Sequence, residues 1–356
     1  MRPDKIHRRD HIEVYLQEMT FFKHYTFLVS IFSFRVMVGI VLLVPLNLLG
    51  AEQAPEQAPE QAQQSDRIET IDLPRDYLSE KFVTLAKDID HFFGDDRNFL
   101  ESNESVVQLD LTRITGYGGD RKFVLSGRAK LHLPTAEKRL HLLVESNPDK
   151  NISGDQAQTK TTPIKDVTAP ESYAAALRFE REHESLWHFS TDLGIQFHGV
   201  TTDPNPFTRA RGSYEVPLDQ WRLKAAETVF WFHTIGTGES TQLDLERILS
   251  EPFLFRSTSN ATWLHDKQNF DLRQDLSVYH TLNERTALLY QASAFGVSRP
   301  DVHATDYVML LSYRYRLHRE WVFFEVSPQL HFPQEKNYRS SPMLIMRLEM
   351  LFDSSK

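Results

Sequence analysis

The sequence predicts an all-β protein: an antiparallel transmembrane β-barrel of twelve to fourteen strands, preceded by a short N-terminal periplasmic α-helix. Three observations carry that expectation. Apolar and polar residues alternate with a period of two through most of residues 105–356. Short and longer connections alternate between those runs, and many runs end in aromatic residues.

Composition alone misleads. Apolar residues make up 40% and charged residues 25%, an average that reads as soluble. A transmembrane barrel hides its apolar residues at every second position, so the average does not exclude one. The net charge of −9, with no basic run interleaved with aromatics, argues against nucleic acid as a partner. The absence of cysteine excludes disulfides, cysteine-based metal centres, a cysteine nucleophile and a lipoprotein anchor.

Residues 1–51 read as an export signal. Lys23 and Arg35 precede or interrupt an apolar stretch over 27–50, which ends in small residues, and cleavage is expected after Ala51. The long basic lead-in also fits translation starting internally, at Met19 or later. An uncleaved transmembrane helix over 27–49 is the alternative, weakened by Arg35 and Pro45. Residues 52–75 open with an EQAP repeat and read as a flexible spacer. Within 76–94, Leu78, Phe82, Leu85, Ile89 and Phe92 recur at helical spacing, with Asp76 as the cap and Gly94 as the stop. This amphipathic helix is expected to pack on the periplasmic rim of the barrel, or to receive a periplasmic partner.

The remaining chain, 105–356, is assigned to the barrel. In Trp187–His198 (WHFSTDLGIQFH), Trp187, Phe189, Leu193, Ile195 and Phe197 oppose His188, Ser190, Asp192, Gln196 and His198. Leu109 and Leu111 oppose Gln108 and Asp110, and Tyr313 and Tyr315 oppose Arg314 and Arg316. Leu344, Met346, Leu348, Met350 and Phe352 oppose Arg347 and Glu349. Many runs approach the ~9–11 residues that a tilted strand needs to cross a bilayer. Strands at 221–234 and 285–298 alternate less cleanly, which leaves twelve strands as the lower count.

Tight connections are expected at 134–138, 181–185, 217–220, 282–285 and 317–320. Longer ones are expected at 147–172, 199–206, 235–240, 298–304 and 333–341. The 147–172 loop, with Pro148, Pro163 and Pro170, either folds inward as a constriction or lies outside. This asymmetry is that of periplasmic turns and external loops. The signal, the alternating strands and the final strand Met343–Phe352 resemble Gram-negative outer-membrane β-barrel proteins. Such proteins usually end on the aromatic itself, whereas here Asp353–Lys356 follow Phe352. The stretch from FFGDDRNFLESNESVVQLDL to GRAKLHLPTAEKRLHLLVES, about residues 92–146, also resembles a set of uncharacterised proteobacterial proteins. The resemblance implies residence in the bacterial outer membrane, contact with its lipid and lipopolysaccharide, and insertion by the barrel assembly machinery.

If the polar parity faces the lumen, its charges nearly balance. The candidate lining residues are Arg128, Lys130, Arg178, Glu180, His188, Asp192, Arg209, Arg211, Asp271, Arg273, Asp275, Arg314, Arg316, Glu325, Arg347 and Glu349. They form either a cross-strand ion-pair lattice or the walls of a selective pore. No catalytic residue, metal site or cofactor is assigned. His188, Ser190 and Asp192 share one face without the cross-strand geometry of a triad, and no histidine pair has a metal-binding helical spacing. The expected function is passive transport or a structural role. The rivals are an outer-membrane lipid hydrolase and a soluble periplasmic β-barrel or sandwich that binds ligands; Ser257–Trp263 (STSNATW) sets Ser near Asn but matches no specific phospholipase pattern.

Overall fold

The computed structural model describes residues 89, 92–93, 105–117, 119–133, 139–149, 152, 171–183, 186–199, 203–218, 220–317 and 321–353. The expected signal and spacer, and most of the 76–94 helix, lie outside the described residues. Fourteen strands form among those described. They are β1 (Val106–Gly116), β2 (Gly119–His132), β3 (Leu140–Ser146), β4 (Ser172–His183), β5 (Trp187–His198), β6 (Asn205–Leu218) and β7 (Trp221–Phe232). They continue as β8 (Gly236–Ser250), β9 (Phe253–Leu264), β10 (Asn269–Asn283), β11 (Thr286–Val297), β12 (His303–Arg316), β13 (Val322–Pro333) and β14 (Ser341–Asp353).

Each strand pairs antiparallel with its sequence neighbours, and β1 pairs with β14 to close the barrel. Both ends of the barrel sequence therefore lie at one end of the cylinder, termed the lower end. The lower connections between strands are short, as at 219–220, 251–252 and 284–285. The upper connections include the long 147–171 segment, together with 199–204, 298–302 and 334–340.

The expected longer connection at 235–240 is corrected by the fold. β8 begins at Gly236, whose φ of 78° closes a tight turn. At Gly238 a Cβ would collide with the Phe230 ring and the Trp263 carbonyl oxygen. Glycines that read as a loop are there because the wall is crowded. Strand β7 alternates weakly for a related reason: Phe230 and Phe232 point inward while Trp231 points outward. In β11, Ala287 and Leu289 face in, beside the exposed Tyr290.

On most strands the outward parity is apolar and the inward parity is polar. Leu193, Met309, Leu125 and Phe123 are among the exposed side chains, while Arg178, Arg314 and Lys130 are at most 1% exposed. Aromatics gather near both ends. Trp187, Trp221 and Trp321 stand near the lower end; Phe197, Trp231 and Trp263 stand near the upper. Trp187 and Phe197 are ten residues apart on β5. At ~3.3 Å per residue and ~40° of tilt that is ~25 Å of height, the thickness of an apolar band.

Gly194 shows how tightly the inner wall is fitted. A Cβ there would lie 2.6 Å from Ala176 Cβ and from the Phe207 ring. Gly194→Val is expected to destabilise the barrel by roughly 1–3 kcal/mol. A urea titration in lipid vesicles, followed by the heat-modifiable gel shift, measures it.

Candidate functional site

The barrel interior is the candidate site, and its charges are organised by strand register. Three rows each set a carboxylate on a central strand between cations on its two neighbours. Arg178, Asp192 and Arg209 are register partners across β4, β5 and β6. Arg222, Glu246 and Arg256 are partners across β7, β8 and β9. Arg314, Glu325 and Arg347 are partners across β12, β13 and β14. Parity makes each of these side chains point inward, and register puts opposite charges side by side.

The first row is the most fully bonded. Arg178 donates from Nε and Nη2 to Asp192 at 2.6 and 2.8 Å, and Arg209 Nε donates to Asp192 Oδ2 at 2.8 Å. Arg209 also reaches Glu145 on β3 at 3.0 Å, three strands away along the wall. Lys130 on β2 donates to Glu180 on β4 at 2.8 Å, again skipping a strand. Such bridges tie strands that are not direct neighbours in the wall.

The other rows are built the same way. Arg222 and Arg256 both donate to Glu246, and Arg222 also pairs with Glu215 at 3.1 Å. Arg314 donates to Glu349 at 2.9 Å and to Glu325 at 3.2 Å, and Arg347 lies 3.5 Å from Glu325. Each row carries one cation in excess, and a second carboxylate (Glu145, Glu215 or Glu349) offsets it. Charge is neutralised within each row and is not segregated onto opposing walls.

Among the sequence-derived candidates, Arg128, Lys130, Arg178, Glu180, Asp192, Arg209, Arg211, Asp275, Arg314, Glu325, Arg347 and Glu349 are buried inside. Arg273 is half-buried and pairs with Asp275 at 2.8 Å. His188 and Arg316 are half-buried near the lower end. Asp271 is exposed, because it sits near the upper end of β10 beyond the packed part of the wall. Sequence reasoning left out Arg222, Lys224 and Arg256. A strict parity count along β7, through Arg222, Lys224, Ala226 and Thr228, is the signal that finds the first two.

The interior is not polar throughout. At the lower mouth, Ile89, Phe92 and Phe93 are helical and buried. Phe92 meets Phe323 edge-on at 5.6 Å between ring centroids, and Phe93 meets Tyr279 at 5.2 Å. Arg316 lies over the Phe92 ring at 5.3 Å. Phe323, Tyr279, Leu254, Leu289 and Leu351 are inward-facing residues near the lower strand ends, so this segment sits within the mouth. At the upper mouth Phe207 stacks on Phe232 at 4.8 Å, and Ile152 from the long 147–171 connection is buried in the same apolar cluster. Gln196 donates to Asp149 of that connection at 3.1 Å. The start of the long connection is thus tucked inward.

Ser257 and Ser259 hydrogen-bond Gln274 on the outer wall, and His280 stacks on Phe253. Serine and histidine are not brought together there as a lipid hydrolase needs. Among the described residues no group of three or more acidic or histidine side chains is placed to hold a metal ion.

Charges inside, apolar residues outside and a closed antiparallel sheet with no free edge invert the pattern of a soluble barrel. Hydrocarbon is the surround that this surface fits, and a closed barrel satisfies every wall hydrogen bond within it. The protein is an outer-membrane β-barrel.

No protein-family model matches the chain, and no curated protein matches it in sequence. Its fold is similar to several solved outer-membrane proteins. One is OprB of Pseudomonas putida, at 7% identity and a TM-score of 0.45 over 72% of this chain and 96% of that one. Another is the outer-membrane channel DcaP of Acinetobacter baumannii, at 9% identity and 0.42 over 70% and 96%. A third is the NanC porin, at 9% identity and 0.36 over 68% and 98%.

Proposed function

We propose that the protein is a passive pore of the outer membrane that its own N-terminal segment holds closed from the periplasmic side. The observation that carries the reading is the burial of Ile89, Phe92 and Phe93 among inward-facing residues of the lower mouth. A barrel serving only as a membrane strut has no use for a hydrophobic stopper in one mouth. Because the ion pairs are neutralised row by row, selectivity follows from the width left inside the ion-pair lattice and from the stopper. It does not follow from a transverse field.

In this reading lipid and lipopolysaccharide surround the outer wall, and the assembly machinery inserts the chain. A periplasmic partner of the 76–94 helix would compete with the mouth for Ile89 and Phe92, so its binding would open the pore.

Conductance in planar bilayers tests the proposal. The full chain is expected to be mostly closed, and a chain lacking residues 76–94 is expected to open frequently. A truncated chain that still shows the heat-modifiable gel shift of a folded barrel, yet passes no current, would sink the pore reading.

A further inference from the structure

The outer wall is apolar on most strands, but between β6 and β10 it is not. By parity, β7 turns Glu227 outward and β8 turns Glu239 and Thr241 outward. β9 adds Ser257 and Ser259, and β10 adds Gln274. Glu227 is exposed, four residues from Trp231 and six from Trp221 on the same strand. It therefore stands between the two aromatic girdles, at the depth of hydrocarbon. Its register partners are Gly212 on one side and Thr241 on the other, and Thr241 donates to it at 2.6 Å. Glu239 pairs in register with Val229 and Trp263, just below the upper girdle.

The outward-facing cation of these strands, Arg247, is far off at the lower end, stacked over Trp221 at 5.2 Å. Two carboxyl groups at bilayer depth, with no outward-facing cation beside them, are costly against lipid and mark a surface with another occupant.

The residues around them are small. Ala210, Gly212, Ala225 and Ala261 face outward, and a Cβ at Gly212 would meet nothing within 4 Å. Small residues allow close approach of two walls in a membrane. The patch also holds its own complement: carboxylate acceptors on β7 and β8, and on β9 the Ser257 hydroxyl, which accepts from Gln274 and keeps its own hydrogen to donate. A surface with both halves of its hydrogen-bonding fits a twofold copy of itself, the commonest symmetry of homo-oligomers.

We infer that the β6–β10 outer wall is the interface of a homodimer within the membrane, with Glu227 and Glu239 buried between the two barrels. This rests on the barrel lying in a bilayer, and needs nothing from the pore reading.

The native chain has no cysteine, so single cysteines report contacts without background. Thr241→Cys and Ser259→Cys are to be introduced separately into the full chain and oxidised in intact outer membranes. Both are expected to give a disulfide-linked species of about twice the mass of the membrane-inserted monomer. Leu193→Cys, on the exposed apolar face of β5, is expected to give none. Glu227→Leu in the Thr241→Cys background is expected to reduce cross-linking at least tenfold, with the heat-modifiable shift retained. Absence of the dimer band from both patch cysteines, equal cross-linking at Leu193→Cys, or a cross-linked product of another mass would each overturn the inference. A chain without the heat-modifiable shift or membrane residence would instead defeat the barrel itself.

Discussion

Asp192→Ala is expected to destabilise the folded barrel by about 3–5 kcal/mol, the cost of breaking a buried ion pair by removing one partner. Asp192 accepts from both Arg178 and Arg209, which are 1% and 6% exposed. Without it, two buried guanidinium groups lose the acceptor they share, and Glu145 remains beside Arg209. Arg178 retains Glu180, at 3.8 Å. The measurement is the urea midpoint in lipid vesicles, read by the gel shift and by tryptophan fluorescence. The contrast is His188→Ala on the same strand, half-buried near the lower end, expected to shift stability by no more than ~0.5 kcal/mol. Equal effects from the two substitutions would mean that the lattice does not hold the wall together.

The second large effect concerns the mouth. If the segment plugs the pore as proposed, burial of each phenylalanine side chain stabilises the closed state by ~1.5–3 kcal/mol. The double variant Phe92→Ala, Phe93→Ala removes the contacts with Phe323 and Tyr279 together with the stacking of Arg316. The ratio of open to closed channels is then expected to rise about a hundredfold or more, since each ~1.4 kcal/mol is a factor of ten. Phe92→Leu keeps most of the apolar surface and is expected to change the ratio by roughly tenfold at most. Single-channel recording gives both numbers. A double variant with unchanged open probability would remove this segment from any role in closure.

Much of the wall is legible in the sequence because one period carries it. Trp187–His198 alternates cleanly because its outer face is apolar and its inner face polar, and the same holds for β12 and β14. The signal fails where either face departs from that rule. β7 and β11 carry apolar residues inward near the mouths, and β7 to β10 carry polar residues outward.

The charged candidates are legible as a set, since inward parity selects most of them. Their partnerships are not. Asp192 and Arg209 are 17 residues apart and Arg314 and Glu349 are 35 apart, so they meet only once the register is known. The helix at 76–94 shows its apolar stripe in the sequence, with Ile89 and Phe92 on it. Its seat does not show, because Phe323 and Tyr279 become inward residues of the lower mouth only through closure.

That closure has a consequence for how the protein is made. Every pairing but one joins strands adjacent in sequence, and so can form as a local hairpin. The exception is the seam, where β1 and β14 match from Val106↔Asp353 to Gly116↔Met343. Until the last thirteen-residue strand arrives, the growing sheet has two bare edges, each a template for wrong partners. The seam spans the greatest separation in sequence, so its closure costs the most chain entropy. β14 acts as a clasp: a chain cut before Ser341 keeps every hairpin but the last and has no ring.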